Sequence, residues 1–155
     1  MNVQSRAKRI LTPLSSYQPI EEVGSLLFPL RDFAVLRGAT PLGVYSNTPG
    51  ESQEALLVSD IGVFLNCGEE VRFVEYKTIN KVDIAADGRI VGADATALKI
   101  DADGLLVTAE HSAPVFLPVR NGHGKYRDVF EFSRFMNRAA EDSRSEVKGV
   151  HRPQT

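Results

Sequence analysis

Apolar and polar residues alternate along much of the chain after residue 31. Because the side chains of a strand point alternately to its two faces, this period of two predicts about seven short antiparallel strands. The predicted strands include DFAVLRG (32–38), PLGVYSN (41–47), VRFVEY (71–76) and APVFLPV (113–119), the last at a sheet edge because of Pro118.

Three further segments have the pattern of β-hairpins. EALLVSDIGVFLNC (54–67) has its corner at Ser59 to Gly62. KVDIAADGRIVG (81–92) and ALKIDADGLLVTAE (97–110) each contain an Asp-Gly pair between apolar stretches. Asp-Gly suits the positive φ angles of a tight turn, so we expect a turn at Asp87-Gly88 and another at Asp103-Gly104.

The period changes near the C-terminus, in YRDVFEFSRFMNRAAEDSRSE (126–146). Val129, Phe132, Met136 and Ala139 follow a three-four-three spacing, and Phe130 and Phe135 widen the apolar stripe. This pattern predicts an amphipathic helix of about five turns. Strands followed by one long helix indicate an α+β domain.

A break in the alternation falls in VEYKTINKVDI (74–84). Its apolar residues are Tyr76, Ile79 and Val82, three apart, before a spacing of two returns at Ile84.

The N-terminal region has no clear period. Pro13, Pro19 and Pro29 interrupt it, IEEVGSLLF (20–28) suggests a short helix, and SRAKRI (5–10) suggests a solvated or frayed end. The predicted division is therefore an N-terminal extension at 1–31 that is partly helical or irregular, a domain at 32–145 and a disordered tail at 146–155.

Five segments carry a resemblance to a known family: the hairpin LLVSDIGVFL (56–65), VEYKTINKVDI, ALKIDADGLLVTAE, VFLPVR (115–120) and the terminal helix. Together they resemble the bacterial pleckstrin-homology-like (PH-like) domains. The resemblance implies a bent antiparallel barrel of about seven strands, capped by the C-terminal helix. It also implies that VEYKTINKVDI is a one-turn corner between two strands with its apolar side chains in the core, which would account for the spacing of three. Members of that family are mostly binding or scaffold modules. Lipid-binding relatives use basic residues in the first hairpin loop, whereas the matching loop here, SNTPGES (46–52), contains no Lys or Arg.

Composition narrows the function classes. The formal net charge of −2 gives no electrostatic reason to expect nucleic-acid or membrane binding. Cys67 is the single cysteine, which excludes an intrachain disulfide and suits a reducing, cytoplasmic location.

Reactive motifs are incomplete. Asp101, Asp103, Gly104 and Glu110 have calcium-loop spacing, but Lys99 stands where the first carboxylate ligand belongs. Cys67 with His111 or His123 forms no recognisable nucleophile–base motif, and the three histidines have no zinc-ligand spacing. We therefore predict no catalytic residue, no metal and no cofactor.

The segment RNGHGKYR (120–127) is the polar stretch with the most potential for binding. Glycines next to a helix N-terminus expose amide groups that attract anions. The candidate partner- or anion-binding residues are Arg120, Asn121, His123, Lys125 and Arg127.

The leading hypothesis is a non-catalytic bacterial binding or scaffold module that contacts another protein, with an inhibitor or immunity-type factor as a special case. Self-association through a sheet edge is a further mode. One alternative is a protein or enzyme that binds a phosphorylated metabolite at the Arg120–Arg127 turn. The other is weak binding to anionic lipid.

Overall fold

The structure is a computed structural model that describes residues 2–23, 28–48, 54–68, 70–86, 89–90, 102–120 and 125–150. Within these ranges the chain forms three α-helices, nine strands and two single turns of 3-10 helix. The helices are α1 (Val3–Ile10), α2 (Phe28–Leu36) and α3 (Lys125–Val150). The strands are β1 (Tyr17–Pro19), β2 (Pro41–Tyr45), β3 (Leu56–Ser59), β4 (Gly62–Asn66), β5 (Val71–Glu75), β6 (Ile79–Ala86), β7 (Arg89–Ile90), β8 (Gly104–Ala109) and β9 (Val115–Pro118).

The strands form two antiparallel sheets. The first has the order β1-β2-β3-β4-β5 and the second the order β7-β6-β8-β9. No backbone ladder joins the two sheets among the described residues. The chain is therefore a mixed helix-and-strand protein with two antiparallel sheets and a C-terminal helix, which confirms the coarse fold class.

The predicted corner connects the two sheets. β5 ends at Glu75, a 3-10 turn covers Tyr76–Thr78, and β6 begins at Ile79. Such a turn has three residues per repeat, which places Tyr76 and Ile79 on one side, and both side chains are buried. Val82 is half-buried and packs against the same core. The change in spacing is thus a change of sheet.

Helix α3 supplies one wall of the main core, as the apolar stripe predicts. Val129, Phe132, Phe135 and Met136 are fully buried, and the Phe132 ring meets the Tyr45 ring edge-on at 5.7 Å between centroids. Phe130 differs from the prediction, because it is 49% exposed. The helix also continues to Val150, so residues 146–150 are helical where a disordered tail was expected, and residues 151–155 lie outside the description.

The N-terminal residues belong to this same core. Val3, Ala7 and Ile10 of α1 are buried in it, and Arg6 Nε lies 3.0 Å from Asp142 Oδ2 of α3. The SRAKRI segment is therefore helical and not frayed, although Ser5, Lys8 and Arg9 are exposed to solvent as the other alternative predicts. The exposed basic residues lie on the face of an amphipathic helix opposite the buried one.

Helix α2 replaces the strand predicted at DFAVLRG, and the boundary drawn between residues 31 and 32 falls inside it. Leu30 and Ala34, four residues apart, pack on the outer face of the first sheet with Val44, Leu57 and Phe64. The helix ends in a Schellman motif, in which Ala39 N–H bonds Ala34 O and Gly38 N–H bonds Val35 O. Gly38 takes the required positive φ of 71°. Residues 24–27, four of the nine in the helix predicted over 20–28, lie outside the description, and Ile20–Glu22 forms a 3-10 turn.

The two Asp-Gly pairs have different outcomes. β6 and β7 pair across Asp87-Gly88, which agrees with the predicted hairpin, although the turn residues themselves lie outside the description. Asp103-Gly104 is not a turn. Gly104 opens β8 and is paired on both sides, with Ala85 and Pro118, and an added Cβ would press on Leu117 O. Glycine is required there by close packing of the strands.

Candidate functional site

Arg120 of the predicted binding turn is engaged within the protein. It follows β9, and its Nη1 lies 2.7 Å from Glu54 Oε2. Its Nε is buried without a hydrogen bond and lies 3.7 Å from Asp103 Oδ2. Two carboxylates thus offset the guanidinium charge, which leaves less of that charge to attract an external anion.

The other four predicted residues are not brought together in the described part of the chain. Asn121 and His123 lie outside the description. Lys125 and Arg127 belong to the first turn of α3, and their side chains are likewise outside it. The expectation of a partner- or anion-binding turn therefore rests on the sequence.

Asn47 makes a connection that the sequence did not reveal. Its Nδ2 donates to Glu54 O at 2.7 Å and to Pro118 O at 2.8 Å, and its Oδ1 accepts from Arg120 N–H at 2.7 Å. We call these contacts of Asn47 with Glu54, Pro118 and Arg120 the Asn47 bridge. It joins the β2–β3 connection of the first sheet to the end of β9 in the second.

A second buried polar contact fixes α3. The Tyr45 hydroxyl donates to Asp128 Oδ2 at 2.6 Å, and both side chains are buried. Asp128 stands in the first turn of α3, where a carboxylate also favours the helix dipole. The pair therefore anchors the N-terminal end of the helix to β2.

Cys67 is exposed, and its surroundings do not activate the thiol. Burial raises its pKa above the ordinary value, Glu70 and Glu54 add to that rise, and Arg72 opposes it. A raised pKa lowers the fraction of nucleophilic thiolate. His111 lies in an exposed turn with a φ of 59°, and the structure gives it no contact with Cys67.

The calcium-loop spacing gains no support from the described residues. Asp103 faces Arg120, while Lys99 and Asp101 lie outside the description. Within the described ranges, no three His, Cys, Asp or Glu side chains are grouped so that they could hold a metal ion.

An apolar surface on α2 is the most distinctive exposed feature. Phe33 is 43% exposed, Val35 65% and Leu36 84%, although the helix buries Leu30 and Ala34 against the sheet. We call Phe33, Val35 and Leu36 the α2 surface. Single exposed apolar residues are common in proteins, but a group of them on one short helix is typical of an interaction surface.

The α2 surface lies close to β5, the last strand of the first sheet. The guanidinium of Arg37, the residue after α2, stands 4.9 Å from the centre of the Phe73 ring on β5. Phe73 in turn stacks on Phe64 at 4.4 Å. An edge strand and an apolar helix surface are therefore adjacent on one side of the protein.

Comparison with protein-family models, with curated proteins and with solved structures gives no match for this chain. Across the described residues, none of the helices combines the length and the apolar character that a membrane span needs.

Proposed function

We propose that this chain is a non-catalytic protein-binding module and that the α2 surface is its binding site. The observation that carries the proposal is the exposure of Phe33, Val35 and Leu36 on one helix. Full burial of side chains of this kind contributes about 1.5–3 kcal/mol each, so covering the three would stabilise a complex appreciably even at partial burial.

The neighbouring edge strand offers a second element of recognition. Among the described residues β5 pairs only with β4, so we propose its other edge as a place for an added strand. A partner that pairs with β5 would reach Arg37 and the α2 surface beside it. Backbone pairing with β5 would supply affinity, and contact with the α2 surface would supply specificity. A second copy of this chain is one such partner.

The PH-like fold remains part of the proposal. In support of it, β2 to β5 form a run of four consecutive antiparallel strands, and β6, β8 and β9 form a second sheet with the small β7 at its edge. Helix α3 packs against the corner and the second sheet. On this interpretation α1, β1 and α2 are additions to the barrel, and a cytoplasmic bacterial scaffold or an immunity-type inhibitor is the expected role.

The two alternatives are less well supported. The pairing of Arg120 with Glu54 and Asp103 weakens the case for a phosphorylated metabolite at that turn. Anionic-lipid binding would need a basic first hairpin loop, and SNTPGES supplies none.

The test compares the wild-type chain with Leu36→Glu and with the control Phe130→Glu, which changes an exposed apolar residue on α3. Each tagged protein is used to recover partners from native lysate, and each is sized by light scattering after purification. We expect one protein, or a second copy of the chain, to associate stoichiometrically with the wild type and the control but not with Leu36→Glu. Equal recovery by all three chains would refute the α2 surface as the site.

Folding must be unchanged for this comparison to be decisive. Leu36 is 84% exposed, so Leu36→Glu should alter the free energy of unfolding by less than about 0.5 kcal/mol. Urea unfolding of the purified variants measures this directly.

A further inference from the structure

A cleft lies between α1 and the start of the first sheet. Its volume is about 510 Å³, within the range of small-molecule sites. Apolar side chains form much of its lining, with polar groups among them. The lining residues that matter here are Ala7, Lys8, Tyr17, Ile20, Glu21 and Leu42.

The Tyr17 side chain supplies a polar group to this cleft. Tyr17 is only 5% exposed, and its ring packs over Gly43, which has no side chain to displace it. Within the described part of the chain its hydroxyl makes no hydrogen bond, and solvent reaches it, since Arg120 Nε is the one described side-chain atom of this kind that is buried without a partner. A ligand acceptor therefore replaces water at this hydroxyl and keeps its hydrogen bond while the apolar part of the ligand is buried.

The hydroxyl remains protonated under ordinary conditions. Burial raises the pKa of Tyr17 well above its usual value, and the nearby Glu21 carboxylate raises it further. A neutral phenol can donate a hydrogen bond, so the matching ligand group is an acceptor such as a carbonyl oxygen.

The charges that line the cleft balance each other. Lys8 on α1 is positive, Glu21 on the turn after β1 is negative, and the two do not form a salt bridge with each other in the described structure. A singly charged ligand is attracted by one group, repelled by the other, and loses hydration on entry. Both side chains are exposed to water, so they repay little of the hydration that a charged group, including either end of a zwitterion, loses on entry. The lining therefore favours a ligand that carries no charged group.

We propose that this cleft binds a small, uncharged amphipathic molecule whose carbonyl oxygen accepts a hydrogen bond from Tyr17. The aliphatic part of the ligand lies against Ile20 and Leu42. A capped apolar amino acid, with amide groups at both ends, represents this class.

The experiment uses N-acetyl-leucinamide as the neutral probe, with N-acetyl-leucine, leucinamide and free leucine as charged relatives. Each is titrated into the full chain at millimolar concentration, and binding is followed by amide chemical shifts in NMR spectra. We expect the neutral probe to shift Ala7, Ile20 and Leu42 and to bind several-fold more tightly than the three charged compounds.

Variants separate the contribution of the Tyr17 hydroxyl to binding from that of the Glu21 charge. Tyr17→Phe removes only the hydroxyl, should leave unfolding unchanged, and should weaken the neutral probe about 2–10-fold. Glu21→Gln leaves Lys8 unopposed, so it should improve binding of the N-acetyl-leucine anion without changing the neutral probe. Leu36→Glu, on the α2 surface, should change neither.

Three results would overturn the proposal. They are an absence of shifts at the cleft residues, equal affinity of the neutral probe for the wild type and Tyr17→Phe, and tighter binding of free leucine than of the neutral probe. Shifts confined to α2 would likewise place the probe elsewhere. None of these results bears on protein binding at the α2 surface, so the two proposals succeed or fail separately.

Discussion

Replacing Asn47 with alanine removes the three hydrogen bonds of the Asn47 bridge. All three lie between 2.7 and 2.8 Å, which is short for bonds to nitrogen. A hydrogen bond contributes about 0.5–1.5 kcal/mol net, and Asn47 is partly exposed, so water can satisfy some of the freed groups. We expect the free energy of unfolding to fall by about 1.5–3 kcal/mol.

The assay is urea unfolding followed by circular dichroism, with thermal unfolding as a second measure. For a chain of this size the loss corresponds to a decrease in Tm of about 3–12 °C. The matched control is Asn137→Ala. Asn137 is exposed on α3 and bonds only within its own helix, so this change should cost less than about 0.5 kcal/mol.

A second substitution tests whether stability depends on the three hydrogen bonds of the Asn47 bridge or only on a polar side chain at this position. Asn47→Asp keeps an oxygen to accept from Arg120 N–H but places a carboxylate against two backbone carbonyl oxygens. It should destabilise the fold at least as much as alanine does. If both Asn47 variants unfold like the Asn137 control, then the bridge does not hold the sheets together.

Three further predictions concern the corner, a close approach of strands, and the thiol. Tyr76→Phe loses the buried bond from the hydroxyl to Ser59 O, at 2.8 Å, and should cost about 1–3 kcal/mol in urea unfolding. Burial raises the pKa of Tyr76, so the folded state keeps a proton that the unfolded state loses above pH about 10. The free energy of unfolding should therefore fall with rising pH above that value, and less steeply in Tyr76→Phe. Parallel pH profiles of the two proteins would contradict this. Gly62→Ala would push a methyl group against Val74 O and should cost about 1–3 kcal/mol, with an unchanged midpoint as the adverse result. Cys67 should react with iodoacetamide more slowly than free cysteine at pH 8, and equal rates would show that its pKa is not raised.

Local patterns in the sequence predicted much of the secondary structure. The strands from β2 to β5 follow from apolar stretches and the turns between them, the buried face of α3 follows from its three-to-four spacing, and the corner at Tyr76 was implied by the resemblance. The corner and α3 each present one side to the main core, whereas β3 and β4 are buried on both faces.

Local patterns failed for α2, whose apolar residues lie on both its buried and its exposed sides. The run FAVL in α2 has no helical period, because the helix buries Ala34 and exposes Val35 and Leu36. A signal was nevertheless present: Pro29 near the start and Gly38 just past the end are typical of helix boundaries. The same limitation applies to Asp103-Gly104, where the chemistry of a turn coincides with a position inside a sheet.

The sequence by itself determined the class of the protein: a strand-rich chain with one long amphipathic helix, little net charge and no complete catalytic motif. Tertiary structure decided which residues are available to act. Arg120 forms hydrogen bonds with Glu54 and Asn47, which lie 66 and 73 positions away in the sequence. Tyr17 lines one cleft with Lys8 and Leu42, and the pairing of β1 with β2 places Tyr17 beside Leu42's strand. Such contacts depend on how strands pair over long separations, and the spacing of residues along one segment carries no information about that pairing.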